Sequence, residues 1–285
     1  MVEILNTTES RIESIEYEND LRDYLGFSSI GGCISALWFS FRFCSKPPLI
    51  PIRKKRIFER GKLEEKRIIK ELKSVGIFIY QRYKGINFDE DIEIFGDEAN
   101  QEEILGFAGH AKGHPDGRCR GVIEAPKTDH LLEMKTMADK YFQELKRNGL
   151  AKSQPGYLAQ CIRSMDAMKL KRTLFISVNK NDESHYYERL RIEDYNLLAE
   201  ELKLKEKAVI LSEIPIPPQY PSGFWKCKFC VHDSVCHRGH APQITCRTCK
   251  HVDILDDGKW SCSKHDKELS TEEQLKACEY YKRIF

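Results

Sequence analysis

Residues 130–137 read HLLEMKTM, an apolar run broken by a glutamate and a lysine two residues apart. Side chains alternate along a strand, so Leu131, Glu133 and Lys135 share one face, while Leu132, Met134 and Thr136 share the other. An ion inside a packed sheet is costly unless it is paired or holds a metal. The octamer therefore has two settings. It is either an edge strand with a solvated ion pair on its wet side, or a buried strand whose charged face is put to use.

Size and composition narrow the classes. At 285 residues the chain can bury one large core or two smaller ones. Its longest apolar segment, ISALWFSFRF, contains Arg42 and falls short of the roughly 18 residues a membrane span needs. The N-terminal stretch is acidic and amphipathic, unlike a secretory signal, so a cytoplasmic location without membrane association is the expectation. The net charge of +2 leaves any nucleic-acid attraction to local patches such as RKKR at 53–56 and KLKR at 169–172. Seven of the eleven cysteines lie after residue 226. Under reducing conditions that clustering predicts metal binding in place of a disulfide framework.

Periodicity predicts a helix over 10–25 from Ile12, Ile15, Leu21 and Leu25, then one over 34–43. After KPPLIP, RIFERGKLEEKRIIKELKSVG makes an amphipathic helix stopped by Gly76, and IFIYQRY a strand. DIEIF, ILGFAGH, RCRGVIE and HLLEMKT read as short strands. Helices over 137–147 and 155–168, strands TLFISVNK and SHYYERLRI, and a helix over 192–207 follow. EIPIPPQYPSGF holds four prolines and marks a boundary. The pattern is an α/β core with a cysteine-rich tail. Its expected divisions are 1–55 (helical), 56–212 (core), 213–240 (Pro-rich linker and cysteine triplet) and 241–285 (zinc-ribbon-like tail).

Asp116 lies in the turn HPDG, seventeen residues before Glu133. Asp116 and Glu133-x-Lys135 resemble the PD-(D/E)xK arrangement of metal-dependent nucleases. Mg²⁺ or Mn²⁺ wants hard oxygen ligands, which Asp116, Glu133 and the Met134 carbonyl can supply with sites left for water and a phosphate oxygen. Lys135 would lie beside the attacking water and stabilise charge on the phosphoryl oxygens. Gly61-x-x-x-Glu65 resembles the first motif of RecB-type nucleases, whose acidic residue reaches a metal from a helix; Glu64 is its neighbour and competitor. Gln160 stands where the same family carries Gln-x-x-x-Tyr, but the fifth position here is Ser164, leaving Gln160 and Tyr157 as DNA or water contacts. Lys180 resembles a lysine found at a strand end in that family.

Cys227-x2-Cys230-x5-Cys236 leaves one coordination site to be filled from elsewhere. AddB-type and CRISPR-associated RecB-like nucleases end on such a triplet and take a fourth cysteine from near the N-terminus to hold an iron–sulfur cluster. By that resemblance Cys33 is the fourth ligand of a 4Fe-4S cluster, with Cys44 in reserve. A zinc alternative would use His232 or His237. Cys246-x2-Cys249, then Cys262, look like a zinc ribbon completed by Cys278 or His265. Cys119 and Cys161 are expected to be plain core residues.

Together these motifs resemble a RecB-family nuclease over roughly residues 28–240. The resemblance implies a restriction-endonuclease-like fold, with a mixed sheet flanked by helices. It also implies a Mg²⁺- or Mn²⁺-dependent deoxyribonuclease acting on single-stranded DNA ends and leaving 5′-phosphates, with a recombination or replication protein as a possible partner. The alternative is a non-catalytic module that grips DNA or a partner through its zinc-type tail.

Overall fold

A computed structural model describes residues 7–19, 22–80 and 102–285. Helix α1 (Thr8–Glu13) is closed by a reciprocal capping box between Thr7 and Ser10. The helix expected to run on to residue 25 stops there, and the chain makes strands β1 (Glu16–Tyr17) and β2 (Leu25–Gly26) instead. Ile12 and Ile15 are 40% and 42% exposed, whereas Leu25 is buried and its amide donates to the His110 carbonyl at 2.8 Å. An apolar period without a core to face gave way to sheet pairing. Leu21 lies outside the described residues.

Helix α2 (Ile34–Phe41) buries Leu37, Trp38, Phe39 and Phe41. Strand β3 (Ile50–Pro51) pairs with β1 and leads into α3 (Ile52–Ser74), which buries Glu64, Ile68, Ile69 and Leu72 at helical spacing. Gly76 ends α3 at φ +83, and the Ile77 amide returns to the Leu72 carbonyl at 3.1 Å. Strands β4 (Phe78–Tyr80), β5 (Ile104–Leu105), β6 (Ala111–Gly113), β7 (Gly117–Arg120) and β8 (His130–Met137) follow. The strand expected at DIEIF lies outside the described residues. Of ILGFAGH only its first two residues are extended. Next come α4 (Asp139–Ser153), broken at Gly149, α5 (Pro155–Met168), β9 (Arg172–Asn179), β10 (His185–Arg191) and α6 (Asn196–Leu211).

The architecture is mixed α/β. Its main sheet has the order β10-β9-β8-β7-β4, with β8 and β9 parallel and every other neighbour antiparallel. Parallel neighbours need a crossover, supplied here by α4 and α5. On one face α3 sets Ile68, Ile69 and Leu72 against Leu132, Met134, Leu174, Ile176 and Val178. On the other, Ile162 and Met165 of α5 pack in one cluster with Leu131 and Phe175. β8 is thus central and covered on both sides. This rules out the wet edge strand, because Leu131, Leu132 and Glu133 are all 0% exposed.

The tail comprises α7 (Asp233–His237), the antiparallel meander β11 (Val252–Ile254), β12 (Trp260–Cys262) and β13 (Lys267–Leu269), and α8 (Thr271–Gln274). Trp260, Cys262 and Leu269 belong to the principal apolar cluster. Arg247 is fully buried. Its guanidinium lies 4.0 Å from the Phe43 ring centroid and 4.4 Å from that of Trp260, and it donates to the carbonyls of Phe41 and Asp23 and to Gln274 Oε1. With no carboxylate among those acceptors, burial lowers its pKa to about 9. Among the described residues no helix is long and apolar enough to cross a membrane.

At the seam between tail and core, Gly109 (φ +72) abuts the turn at Asp257 and Gly258 so closely that a Cβ would sit 2.7 Å from the Gly258 nitrogen. Gly109→Ala combines backbone strain with a backbone clash, and the expected loss is about 2 kcal/mol or more. A denaturant titration of the two proteins measures it. Equal midpoints would mean that the seam is not held.

Candidate active site

Strand β7 begins at Gly117, which is paired with Leu132, so continuation of the register puts Asp116 opposite Glu133. From there on β8 has lost its partner on that edge. Asp116 takes the place of the missing strand, its Oδ2 accepting the Met134 amide at 2.6 Å. The amide and carbonyl of one strand residue point to the same edge, so the Met134 carbonyl opens toward Asp116 as well. The turn aspartate is thereby fixed against the motif strand.

Glu133 projects toward α5. Its Oε1 accepts from Gln160 Nε2 at 2.7 Å and from Lys135 Nζ, while its Oε2 is buried with no partner. Burial pushes the Glu133 carboxyl up to about 7, opposed by Lys135 and reinforced by Asp116. Burial likewise raises Asp116, against the pull of Lys135 and the Met134 amide. Burial alone would lower the Lys135 ammonium, but the carboxylates of Glu133 and Asp116 overcome this and push it up. Two acids and one fixed cation therefore share a partly buried site in which one Glu133 oxygen is unsatisfied. That donor set fits a hard divalent cation, whose charge would relieve both carboxylates.

An open cleft of ≈ 970 Å³ runs along this edge, lined by residues that include Phe58, Lys62, Glu65, Lys135, Tyr157 and Lys180. Glu65 reaches it and its charge acts on Glu133. Glu64, its competitor, turns away into an ion pair with Arg67 at 2.7 Å. Gly61 faces Thr136, letting α3 approach the end of β8. Gln160 also borders a second cleft of ≈ 430 Å³, shared with Arg22, Lys112, His114 and Ser164. Phe58 and Lys62 were not expected at the site. Both lie on the helical face of Glu65, seven and three residues before it, so the Gly61–Glu65 spacing held the signal.

The cysteines gather at two places. Burial, with Cys33 among the neighbours that add to it, raises the thiols of Cys227, Cys230 and Cys236, the last to about 11. Cys44 is buried in the main cluster at 1% exposure, and burial pushes it to about 12. Both ring nitrogens of His232 are engaged, by Ser40 Oγ at 2.8 Å and Ser45 Oγ at 3.0 Å. Those two bonds tie His232 to the segment around the end of α2. In the tail, Cys246, Cys249, Cys262 and Cys278 line one pocket, and burial followed by the other three thiols raises Cys246 to about 11. His265 stands outside that pocket, its Nε2 3.4 Å from Cys278 Sγ. Among the described residues, no group of three or more His, Cys, Asp or Glu side chains is drawn into a shape that could hold a metal ion. Cys119 and Cys161 are fully buried in the two apolar clusters.

No family model matches the chain, and no curated protein matches it. Among solved structures it is similar to an alkaline exonuclease (LHK-Exo) from Laribacter hongkongensis, at 12% identity and a TM-score of 0.42, over 66% of this chain and 86% of that one. LHK-Exo in complex with dAMP gives 13%, 0.43, 66% and 86%. A structure of SSO0001 gives 10% and 0.38, over 80% of this chain and 91% of that one.

The buried carboxylate has a measurable consequence. Glu133 has a folded pKa above the ordinary 4.5. The folded state therefore holds an extra proton between pH 4.5 and about 7, and stability falls as pH rises through that window. In EDTA at pH 8, Glu133→Gln is expected to raise the melting midpoint by roughly 5 °C. A lower midpoint would mean that the Lys135 pairing outweighs desolvation.

Proposed function

We propose that this protein is a divalent-metal-dependent deoxyribonuclease, an exonuclease acting on single-stranded DNA ends in recombination, repair or replication. The observation that carries the reading is the buried Glu133 beside the half-buried Asp116, with an unpartnered carboxylate oxygen on Glu133 and Lys135 next to it at the edge of an open cleft. The end preference and the single-strand preference come from the resemblance of the motifs to RecB-type nucleases.

Each side chain has a task. Asp116, Glu133 and the Met134 carbonyl, with Glu65 from α3, would hold Mg²⁺ or Mn²⁺, which when bound supplies Lewis-acid polarisation of the phosphodiester. Gln160 fixes the plane of the Glu133 carboxylate through its 2.7 Å bond. Lys135, kept protonated by both acids, steers a water and stabilises the charge growing on the phosphoryl oxygens. Lys62 and Lys180 line the same cleft and draw the phosphate chain in. We further propose that Cys33, Cys227, Cys230 and Cys236 hold an iron–sulfur cluster, and that Cys246, Cys249, Cys262 and Cys278 hold zinc. Support for the first is that Cys33, Cys230 and Cys227 add to burial in raising the Cys236 thiol, and for the second that Cys262, Cys249 and Cys278 do the same for Cys246, a penalty a bound cation removes.

With an end-labelled oligonucleotide in Mn²⁺, Asp116→Ala, Glu133→Ala and Lys135→Ala should each lower the cleavage rate by at least ~100-fold while the melting curve stays cooperative. Mg²⁺ should raise the melting midpoint of the parent and leave Glu133→Gln unmoved. A fully active Lys135→Ala protein would sink the assignment. Absence of any Mn²⁺-dependent cleavage would leave a DNA-binding module in its place.

Protein purified without oxygen is expected to be brown, with broad absorbance near ~400 nm, and to contain about one zinc per chain. A colourless protein with about two zincs would replace the cluster with a second zinc site.

A further inference from the structure

Between the Pro-rich segment and the cysteine loop, YPSGFWKCKF packs four aromatic residues and two lysines into ten positions. The Tyr220 and Phe224 rings stack at 4.6 Å and 15°, and Trp225 follows with its centroid 5.9 Å from that of Phe224. Trp225 is 61% exposed and Phe229 86%, whereas Trp38 and Trp260 are wholly buried. Lys226 Nζ lies 5.4 Å from the Tyr220 ring centroid and 5.5 Å from that of Trp225, and Lys228 is exposed. None of these side chains lines the cleft beside Glu65 and Lys135.

The strip is held in shape by its frame. Ser35 Oγ donates to the Pro217 carbonyl at 2.6 Å, the Ile34 amide to Gln219 Oε1 at 3.0 Å, and the Cys227 amide to the Phe224 carbonyl at 2.9 Å. The third anchor turns the strip itself, and the first two join the segment before it to the start of α2. Gly31, just before, touches the first turn of α5: a Cβ there would sit 3.0 Å from Gly156 and Ala159. That turn carries Tyr157, which lines the cleft.

We propose that Trp225 and Phe229, with Lys226 and Lys228, form a stacking platform for single-stranded nucleic acid outside the cleft. Open aromatic faces accept unpaired bases of any sequence, and ammonium groups interleaved with them meet the phosphates. A duplex hides its base faces from such a platform. An apolar protein surface laid here would desolvate both lysines without partners. The platform extends the nuclease reading but does not need the cleft chemistry, so the two are tested separately.

The probe is a fluorescein-labelled twelve-residue oligothymidylate, bound in EDTA to Glu133→Gln protein and followed by anisotropy. On that background Trp225→Ala and Phe229→Ala should each weaken binding roughly tenfold, and Trp225→Phe should restore most of it. Lys226→Ala should reduce the slope of log affinity against log salt by about 0.7. Because the other two tryptophans are buried, quenching of indole emission by the oligonucleotide reports Trp225. Retained affinity in Trp225→Ala protein with a parental melting curve, equal binding of an abasic oligonucleotide, or tighter binding of a blunt duplex would each overturn the platform. Cleavage assayed on the Glu133 parent remains a separate readout.

Discussion

Desolvation of the Glu133 carboxylate, with Asp116 beside it, sets the electrostatics at the open edge of the central sheet. Water would hold Asp116 and Glu133 apart by solvating each. In this fold β7 stops one residue short, and the strand edge it leaves open is closed by Asp116 itself. The two carboxylates are then met by one ammonium and two amides, with a carboxylate oxygen to spare. An arrangement of this kind lowers stability in order to hold a cation-binding geometry in advance. The surrounding packing carries the strain: α3 and α5 clamp both faces of β8, and the parallel pairing to β9 fixes its register over eight residues.

Much of this centre was legible in the residues. Glu133 and Lys135 alternate in phase, and the resemblance of Gly61-x-x-x-Glu65 to the first motif of RecB-type nucleases pointed to Glu65. What spacing could not supply was competition among partners. Glu64 and Glu65 are equally acidic neighbours, and only the packed helix shows Arg67 claiming the first of them. Lys135 reads as a group waiting for water, yet in the folded chain it already bonds Glu133. The N-terminal segment was misread for a related reason. Apolar residues every three or four positions describe a helix but not a core for it, and the strand pairing of Glu16 and Tyr17 with Pro51 and Ile50 prevailed.

The tail was the least legible part. ITCRTCK reads as a metal knuckle, and nothing in that window shows that Arg247 is among the most buried large side chains of the molecule. Its aromatic neighbours, Phe41, Phe43 and Trp260, are scattered over more than two hundred positions, so no local window could bring them together. The same separation hid the role of His232, whose serine partners lie on the far side of the chain.

That guanidinium bridges main-chain carbonyls 206 and 224 positions away, one of them at the end of the buried helix α2. During synthesis Phe41, at the end of that early helix, must therefore wait for its Trp260 neighbour until the final meander emerges. Contacts so distant along the chain close slowly and leave sticky surface exposed meanwhile. A protein built this way ripens late, and cellular chaperones would meet it as a client throughout its translation.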